Sequence, residues 1–322
     1  MTAPQHEKYD LPVIDLSGFQ TASDAEFESL AEKIGQACRE SGFFYIVGHG
    51  VDSQLQARMF SETNTFFSRP DAEKNQLNKQ YSKANRGYEP VGNQTLEAGA
   101  PPDLKEGFYI GLEHEDDHPM VLAGRFNYGK NQWPESADDF KETAMTYIQS
   151  LASLAETLMS LIAVSLKLPK DYFQGFCTDP LITLRLLHYP PQPVNALPNE
   201  KGCGAHTDFG GLTLLLQDDN GGLQVWGHEQ NTWLDATPIP GSYVVNLGDM
   251  IARWTNDHYR STLHRVINKS GTERYSIPFF FSGHPDHEVC CIPTCLAEGE
   301  APKYSATTVE AHMREMYQKT YG

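Results

Sequence analysis

Apolar residues that recur at helical spacing predict four helices. The first lies between Ser23, a potential N-cap, and Gly42, and a second runs from about Ser53 to Phe67. The strongest pattern extends from Asp138 to Leu166, and a shorter helix is predicted at Thr307 to Tyr317. The inner stripe of the strongest helix is formed by Ile148, Leu151, Ala155, Leu158 and Ile162.

After Pro169, short apolar runs replace the helical spacing of apolar residues. Turns rich in Gly, Pro and Asn separate these runs, and this pattern predicts an antiparallel sandwich or barrel. The predicted strands are Leu11–Leu16, Phe43–Val47, Leu181–Tyr189, Leu212–Gln217, Leu223–Trp226, Ser242–Leu247, Leu263–Ile267 and Tyr275–Ser282. The expected fold class is mainly β with flanking helices, built on a double-stranded β-helix (jelly-roll) core.

One domain accounts for the whole chain of 322 residues. It divides into an N-terminal helical and loop part (about 1–175), a jelly-roll part (about 176–290) and a C-terminal helix (about 305–318). The stretch from Pro70 to Trp133 is rich in Gly, Pro, Asn and charged residues, and loops with short strands are expected there.

The net charge of -17 argues against nucleic acid and anionic membranes as partners. No apolar run is expected to be long enough to span a bilayer, and the polar segment Met1–Asp10 lacks the core of a signal peptide. The six cysteines form no complete zinc motif, so reduced thiols and a cytoplasmic location are expected. Nothing in the sequence indicates the oligomeric state.

Three His-x-Asp motifs begin at His114, His206 and His284, and the motif by itself is a weak signal. His114 lies in a polar run, and His284 lies in a turn with little chain after it. Only His206 and Asp208 are followed by two glycines and an apolar strand. In an extended chain these two side chains leave the same face and point into one cavity.

Three further candidate site residues follow the motif that begins at His206. His264 lies fifty-six residues after Asp208, and Arg274 and Ser276 lie just downstream of it. Two imidazoles and one carboxylate can bind one face of Fe(II) and leave the opposite positions open. An arginine and a hydroxyl can bind the remote carboxylate of an oxo-dicarboxylic acid. The order therefore predicts an oxygen-activating iron site that uses an oxo-acid.

Together these motifs resemble the iron/2-oxoglutarate oxygenases of the isopenicillin N synthase-like family. The resemblance covers most of the chain and is most specific in its last third. The segments that carry it are Leu11–Leu16, Gly42–Phe44, Gly48–Gly50, Arg86–Tyr88, Lys105–Phe108, Arg185–Pro191, Gly204–Gly210, Asn246–Met250, Ser261–Val266 and Arg274–Ser276.

The resemblance implies roles for individual residues. His206, Asp208 and His264 would be the iron ligands and the catalytic centre. Arg274 and Ser276 would bind the distal carboxylate of 2-oxoglutarate, with help from Tyr189. Plant members carry an asparagine where this chain has Leu187, a departure that removes one polar contact near the cosubstrate. Asp249 would support the fold through turn hydrogen bonds.

Four further residues are candidates for contact with the primary substrate. Arg86 and Phe108 fall on segments that line the substrate mouth in similar enzymes. Phe280 shares its strand parity with Ser276, so it either walls the substrate or belongs to the core. Arg185 interrupts an apolar strand, where a structural ion pair is favoured over a contact with substrate.

The implied activity is oxidative decarboxylation of 2-oxoglutarate by Fe(II) and O2, coupled to hydroxylation, desaturation or cyclisation of a small organic substrate. Two alternatives stay open. One is an oxidase like isopenicillin N synthase, which needs no oxo-acid. The other is a non-catalytic metal- or ligand-binding protein on the same fold.

Overall fold

Fourteen strands and eight helices occupy the described residues of this computed structural model, which are 10–135, 137–193, 195–197 and 199–321. The strands are β1 (Val13–Asp15), β2 (Phe43–Val47), β3 (Gly87–Glu89), β4 (Glu106–Ile110), β5 (Leu181–Tyr189), β6 (Cys203–His206), β7 (Leu212–Gln217), β8 (Leu223–Gly227), β9 (Thr232–Asp235), β10 (Tyr243–Leu247), β11 (His264–Val266), β12 (Arg274–Gly283), β13 (Glu288–Val289) and β14 (Thr307–Thr308). The helices are α1 (Asp24–Glu40), α2 (Ser53–Phe67), α3 (Asp71–Gln76), α4 (Pro119–Leu122), α5 (Asp138–Ser165), α6 (Gln174–Cys177), α7 (Asp249–Trp254) and α8 (Val309–Tyr321). Nearly all of the polar segment Met1–Asp10 lies outside the described residues.

Side-chain hydrogen bonds cap the N-termini of the helices α1 and α2. At the start of α1, the Ser23 hydroxyl accepts the Glu26 N–H, and the Glu26 carboxylate accepts the Ser23 N–H, which is a complete capping box. The Asp52 carboxylate caps α2 by accepting the Gln54 N–H at 2.8 Å. The bounds of α1, α2 and α5 agree with the predicted ones within one or two residues, whereas α8 starts two residues later and ends four residues later than predicted.

The strands of the described residues form three sheets. The large sheet has the order β1-β2-β10-β7-β12-β5-β4-β3, and the smaller has the order β6-β11-β8-β9. Strands β13 and β14 make a separate pair. The N-terminal part of the chain supplies β1, β2, β3 and β4 to the large sheet, in addition to its helices and loops.

Two apolar cores pack against opposite faces of the large sheet. The larger core lies between this sheet and the helices α1, α2 and α5, with Ile34, Met59 and Leu158 among its fully buried members. The second core lies between the two sheets and includes Phe43, Val225 and Val266. An arrangement of two sheets with helices behind one of them is the predicted fold class.

Helix α5 corrects one expectation. Its 28 residues are long and apolar enough to cross a membrane by length and composition, so the expectation that no such run exists was wrong. However, 13 of its residues are buried against the rest of the protein, and acidic side chains begin its first turn. Such burial is ordinary for the central helix of a globular core.

Candidate active site

Strand pairing brings two distant histidines together. His206 is the last residue of β6, His264 is the first residue of β11, and the two are direct partners in the antiparallel ladder. Side chains of directly opposed residues leave the same face about 5 Å apart. Their ring centroids are accordingly 4.3 Å apart, although 58 positions separate them in the sequence.

Backbone carbonyls orient both imidazole rings. The Nδ1 atom of His206 lies 2.8 Å from the Gly204 carbonyl oxygen, and that of His264 lies 3.2 Å from the Thr262 carbonyl oxygen. A carbonyl can only accept, so each Nδ1 carries the proton and each Nε2 presents a lone pair. Both Nε2 atoms face the same carboxylate oxygen, Oδ1 of Asp208, at 3.8 Å from His206 and 3.7 Å from His264.

The two oxygens of Asp208 have different environments. Oδ2 accepts hydrogen bonds from the Thr213 hydroxyl at 2.6 Å and the Asn246 amide at 2.7 Å. These donors fix the carboxylate plane and leave Oδ1 facing the histidines. The three ligand atoms lie within 4.8 Å of one another, and this is the one such group of three among the described residues. Two imidazoles and a single carboxylate oxygen on one side suit a divalent transition metal.

The protonation states at neutral pH also suit a metal. Burial lowers the pKa of His206, and burial together with repulsion from His206 lowers the pKa of His264 to about 4. Burial alone would raise the pKa of Asp208, but the imidazoles and the hydrogen bonds from Asn246 and Thr213 outweigh it and lower the pKa. The site therefore presents two neutral imidazoles and one carboxylate, which is the form that binds metal.

Asp249 ties together the two segments that carry the triad. Its carboxylate accepts the Ser261 hydroxyl at 2.6 Å and the Thr207 hydroxyl at 3.1 Å. Its backbone N–H donates to the Asp208 carbonyl oxygen at 2.7 Å. These contacts agree with the structural role that the sequence predicted for Asp249.

A buried arginine lies in the same cavity as the triad. The side chain of Arg274 is fully buried, and its guanidinium lies 4.7 Å from the centre of the Tyr189 ring. Its nitrogens donate to the Gly221 carbonyl, to the Ser276 hydroxyl at 3.3 Å and to the Gln217 side-chain oxygen at 3.3 Å. Among the described residues, no carboxylate lies within 4 Å of this guanidinium. A buried guanidinium in such surroundings has the charge and the donors to bind an anion.

One cavity is lined by the triad, Arg274 and Tyr189. The alternating residues 274, 276, 278 and 280 of β12 all line it, as the strand parity predicted. A neighbouring chamber shares His206, Asp208, Arg185 and Phe280 with it. A molecule in either space can therefore reach the triad.

Arg185 and Phe280 stand where the two chambers meet. The Arg185 guanidinium lies 4.5 Å from the centre of the Tyr109 ring and 5.0 Å from the centre of the Phe280 ring. Aromatic faces at these distances hold a guanidinium through cation–π attraction. Both side chains are half-buried, so Phe280 is a wall of the chamber and not only part of the core.

The other two candidate substrate contacts lie elsewhere. Phe108 is fully buried in the larger core, with its ring centre 4.2 Å from that of Phe66. Arg86 is also buried and donates to the Asn127 carbonyl at 2.8 Å. Neither residue lines the two chambers beside the triad. These positions do not support the expected contact of either residue with the substrate. The face of β4 that carries Phe108 packs on the helices.

Several residues of the site were not assigned a role from the sequence. The donors Asn246 and Thr213 hold Asp208, Gln217 contacts Arg274, and Lys105 lines the cavity. The one available signal was a polar residue inside an apolar strand, as at Thr213 and Asn246. The partner of such a residue depends on which strands become neighbours.

Comparisons with known proteins agree with this geometry. Residues 11–136 match a family described as "non-haem dioxygenase in morphine synthesis N-terminal". Residues 181–283 match the 2OG-Fe(II) oxygenase superfamily. The chain is 45% identical to the 2-oxoglutarate-Fe(II) type oxidoreductase hxnY of Emericella nidulans, over 97% of this chain and 90% of that protein. It is 40% identical to a 2-oxoglutarate-Fe(II) type oxidoreductase of Aspergillus fumigatus, over 99% of this chain and 95% of that protein.

A solved structure shows the same fold. The crystal structure of a full-length Neurospora crassa protein in complex with alpha-KG superposes with a TM-score of 0.85 and 30% identity, and the match covers 98% of each chain. This similarity confirms the predicted jelly-roll fold class. Neither alternative function, an oxidase without oxo-acid or a non-catalytic binding protein, gains support from these relatives. The chain therefore belongs to the 2OG-Fe(II) oxygenase superfamily and is an Fe(II)- and 2-oxoglutarate-dependent dioxygenase that oxidises a small organic substrate.

Proposed function

We propose that His206, Asp208 and His264 hold the Fe(II) of this dioxygenase and that Arg274 and Ser276 bind the distal carboxylate of 2-oxoglutarate. The observation that carries the proposal is the shared cavity. It contains three converging ligand atoms and a fully buried guanidinium without a carboxylate partner among the described residues. The three ligand atoms can bind a metal ion, and the buried guanidinium can bind an anion.

The donor set fits Fe(II). Imidazole nitrogens and a carboxylate oxygen on one side leave the remaining coordination positions for a chelating oxo-acid and O2. When bound, the iron with its oxo-acid supplies the oxidising power for hydroxylation of the substrate. The protein keeps both histidines neutral through burial and holds Asp208 through Thr213 and Asn246.

The surroundings of Arg274 fit a dicarboxylic oxo-acid. The 3.3 Å hydrogen bonds to Ser276 and Gln217 are long, and a carboxylate can replace them at shorter distance. The Tyr189 ring covers the guanidinium and excludes water from it. A carboxylate bound here therefore forms a desolvated charge pair, and the oxo end of the molecule extends toward the triad in the same cavity.

The neighbouring chamber is the proposed binding site of the primary substrate. Its walls combine apolar side chains, Leu96, Phe209 and Met313, with the polar groups of Thr183, Arg185 and Ser282. A guanidinium between two aromatic rings suits a carboxylate or an electron-rich carbonyl on a small, partly apolar molecule. The Neurospora crassa protein was also solved with thymine, a small planar carbonyl compound. We propose a substrate of similar size that carries carbonyl or carboxylate oxygens toward Arg185.

We also propose that this dioxygenase is one domain and works in a reducing compartment such as the cytoplasm. Strands from both halves of the chain share the large sheet, which supports one folding unit. All six cysteines are free thiols, and Cys38 and Cys203 are buried. A reducing environment preserves both these thiols and ferrous iron.

The direct test is a screen for 2-oxoglutarate-coupled succinate release by anaerobically iron-loaded protein. The panel consists of small heterocycles and organic acids, each compared with its decarboxylated or carbonyl-free analogue. His206→Ala should abolish turnover, and Arg185→Gln should raise KM for the hit compound without changing affinity for 2-oxoglutarate. Unchanged turnover by His206→Ala would refute the iron assignment, and an unchanged KM for Arg185→Gln would refute the substrate assignment.

A further inference from the structure

The strand that carries His206 is an edge strand. In the smaller sheet β6 pairs with β11 on one side, so its other side exposes backbone donors to a non-strand neighbour. Two carboxylates from the segment 97–103 accept these donors. Asp103 accepts the Gly204 N–H at 2.8 Å, and Glu97 accepts the Ala205 N–H at 2.9 Å. The edge of β6 is therefore closed by side chains.

Asp103 and Glu97 differ in burial and in charge partner. The Asp103 side chain is 3% exposed and forms an ion pair with Lys105, whose side chain is 4% exposed. The Glu97 side chain is 34% exposed and pairs with Lys201 at 3.0 Å. Burial makes the first pair rigid, whereas exposure to solvent weakens the second.

The Asp103 contact leads on to the metal ligand. Gly204, whose N–H Asp103 accepts, uses its own carbonyl to accept the Nδ1–H of His206 at 2.8 Å. The hydrogen bonds run from the carboxylate through one residue's backbone to the ring. Gly204 also permits the close approach, because an added Cβ would lie 2.7 Å from the Cβ of Glu97.

Lys105 completes this arrangement from the cavity side. Its ammonium contacts Asp103 and lies 3.4 Å from the Cys203 sulfur, and Lys105 lines the same cavity as the triad. The Lys105 ammonium therefore lies between the Asp103 carboxylate and the Cys203 sulfur. The ion pair fixes the direction in which the Asp103 carboxylate faces β6.

We infer that Asp103, held by Lys105, is a positioning residue for the metal ligand His206. It fixes the backbone of Gly204, and that backbone fixes the ring tautomer and the direction of Nε2. The inference rests on the proposed function, because it takes His206 as a metal ligand. Outer partners of this kind commonly contribute to metal affinity.

The test compares two double variants of the full-length protein, Asp103→Asn/Lys105→Met and Asp103→Ala/Lys105→Met. Both lack the two charges, so neither leaves a buried ion unpaired, and they differ only in the acceptor for the Gly204 N–H. Each is titrated with Co(II) alone, and the visible absorption of bound Co(II) reports the ligand geometry. Glu97→Ala is the matched control on the same strand edge, and His206→Ala is the reference for loss of a ligand.

The alanine double variant should bind Co(II) roughly 10- to 100-fold more weakly than the parent and with a changed spectrum. The asparagine double variant should stay within about threefold of the parent, because its amide oxygen still accepts the Gly204 N–H. Glu97→Ala should lower thermal stability and leave Co(II) affinity and spectrum unchanged.

Two results would overturn the inference. One is equal Co(II) affinity and equal spectra for the two double variants, and the other is a loss of affinity in Glu97→Ala as large as in the alanine double variant. If His206→Ala itself binds Co(II) as the parent does, the proposed metal site fails together with the inference. A loss in His206→Ala with no difference between the double variants overturns the inference alone.

Discussion

Replacing Arg274 with methionine separates the stability of the free protein from its affinity for the oxo-acid. The substitution removes the buried charge but keeps an apolar stem of similar length. The free energy of unfolding of the free protein should change by less than about 1 kcal/mol. Relief of the desolvated guanidinium offsets the loss of donors to Gly221, Ser276 and Gln217.

The effect on 2-oxoglutarate is expected to be large. Loss of a desolvated charge pair between guanidinium and carboxylate should weaken binding by about 3–4 kcal/mol, within the usual range for such pairs. Since each 1.4 kcal/mol is about tenfold, Kd should rise roughly 100- to 1,000-fold. Ser276→Ala removes one neutral partner at 3.3 Å and should raise Kd by only about fivefold.

Thermal unfolding in the presence of Mn(II), which prevents turnover, measures this difference. At a 2-oxoglutarate concentration about 100 times the Kd of the parent, binding stabilises the parent by about 2.7 kcal/mol. Under the same conditions Arg274→Met should gain less than about 0.5 kcal/mol. A monocarboxylic 2-oxo acid should bind both proteins alike. A full thermal shift of Arg274→Met by 2-oxoglutarate would refute the assignment of Arg274.

Three further predictions concern the metal site, acidification and one glycine. Asn246→Leu removes one of the two side chains that donate to Asp208 Oδ2, at 2.7 Å, so the affinity for Mn(II) should fall about tenfold. A titration followed by electron paramagnetic resonance measures this affinity, and an unchanged value would contradict the proposed support of Asp208. The metal-free protein should lose stability as pH falls from about 6.5 toward 4, because His264 has its pKa lowered to about 4 by burial and by repulsion from His206, and the unfolded chain binds that proton first. Urea midpoints at successive pH values measure this, and a rise in stability on acidification would contradict it. Gly42→Ala should destabilise the fold by about 2–4 kcal/mol, since φ is 69° and a Cβ would lie 2.2 Å from the Arg260 carbonyl oxygen. Gly18→Ala, with φ of 78° and open space around it, should lose only about 1 kcal/mol in the same urea titration, and equal losses would show that the contact at Gly42 is unimportant.

Much of the fold could be predicted because the apolar runs have clear ends. The predicted bounds of β5 and β7 match the structure, since Pro180 and Pro190 flank β5 and Gly211 precedes β7. By contrast, β6 and β9 contain four residues each and no apolar run, so periodicity gave little signal. Their partners in the sheet, and not their own residues, make them strands.

In the candidate site, features set within one strand could be predicted, and features set by tertiary packing could not. The shared face of Arg274, Ser276 and Phe280 follows from the period of two along a single strand, and it was predictable. The position of Phe108 was not, because every residue of β4 is buried and alternation therefore does not distinguish its faces. The hydrogen-bond partners of Asp208 depend on the register between β7 and β10, which tertiary packing determines.

The hydrogen bonds that hold His206, His264 and Asp208 are made by the protein alone, so the three donors are arranged before any ion arrives. Binding of an ion then requires little further ordering of the protein. A pocket with this donor set also follows the Irving–Williams series, in which Co(II), Ni(II) and Cu(II) outcompete Fe(II). Mismetallation is thus the inherent hazard of this design, and the supply of each metal around the protein, more than the shape of the site, decides which ion occupies it.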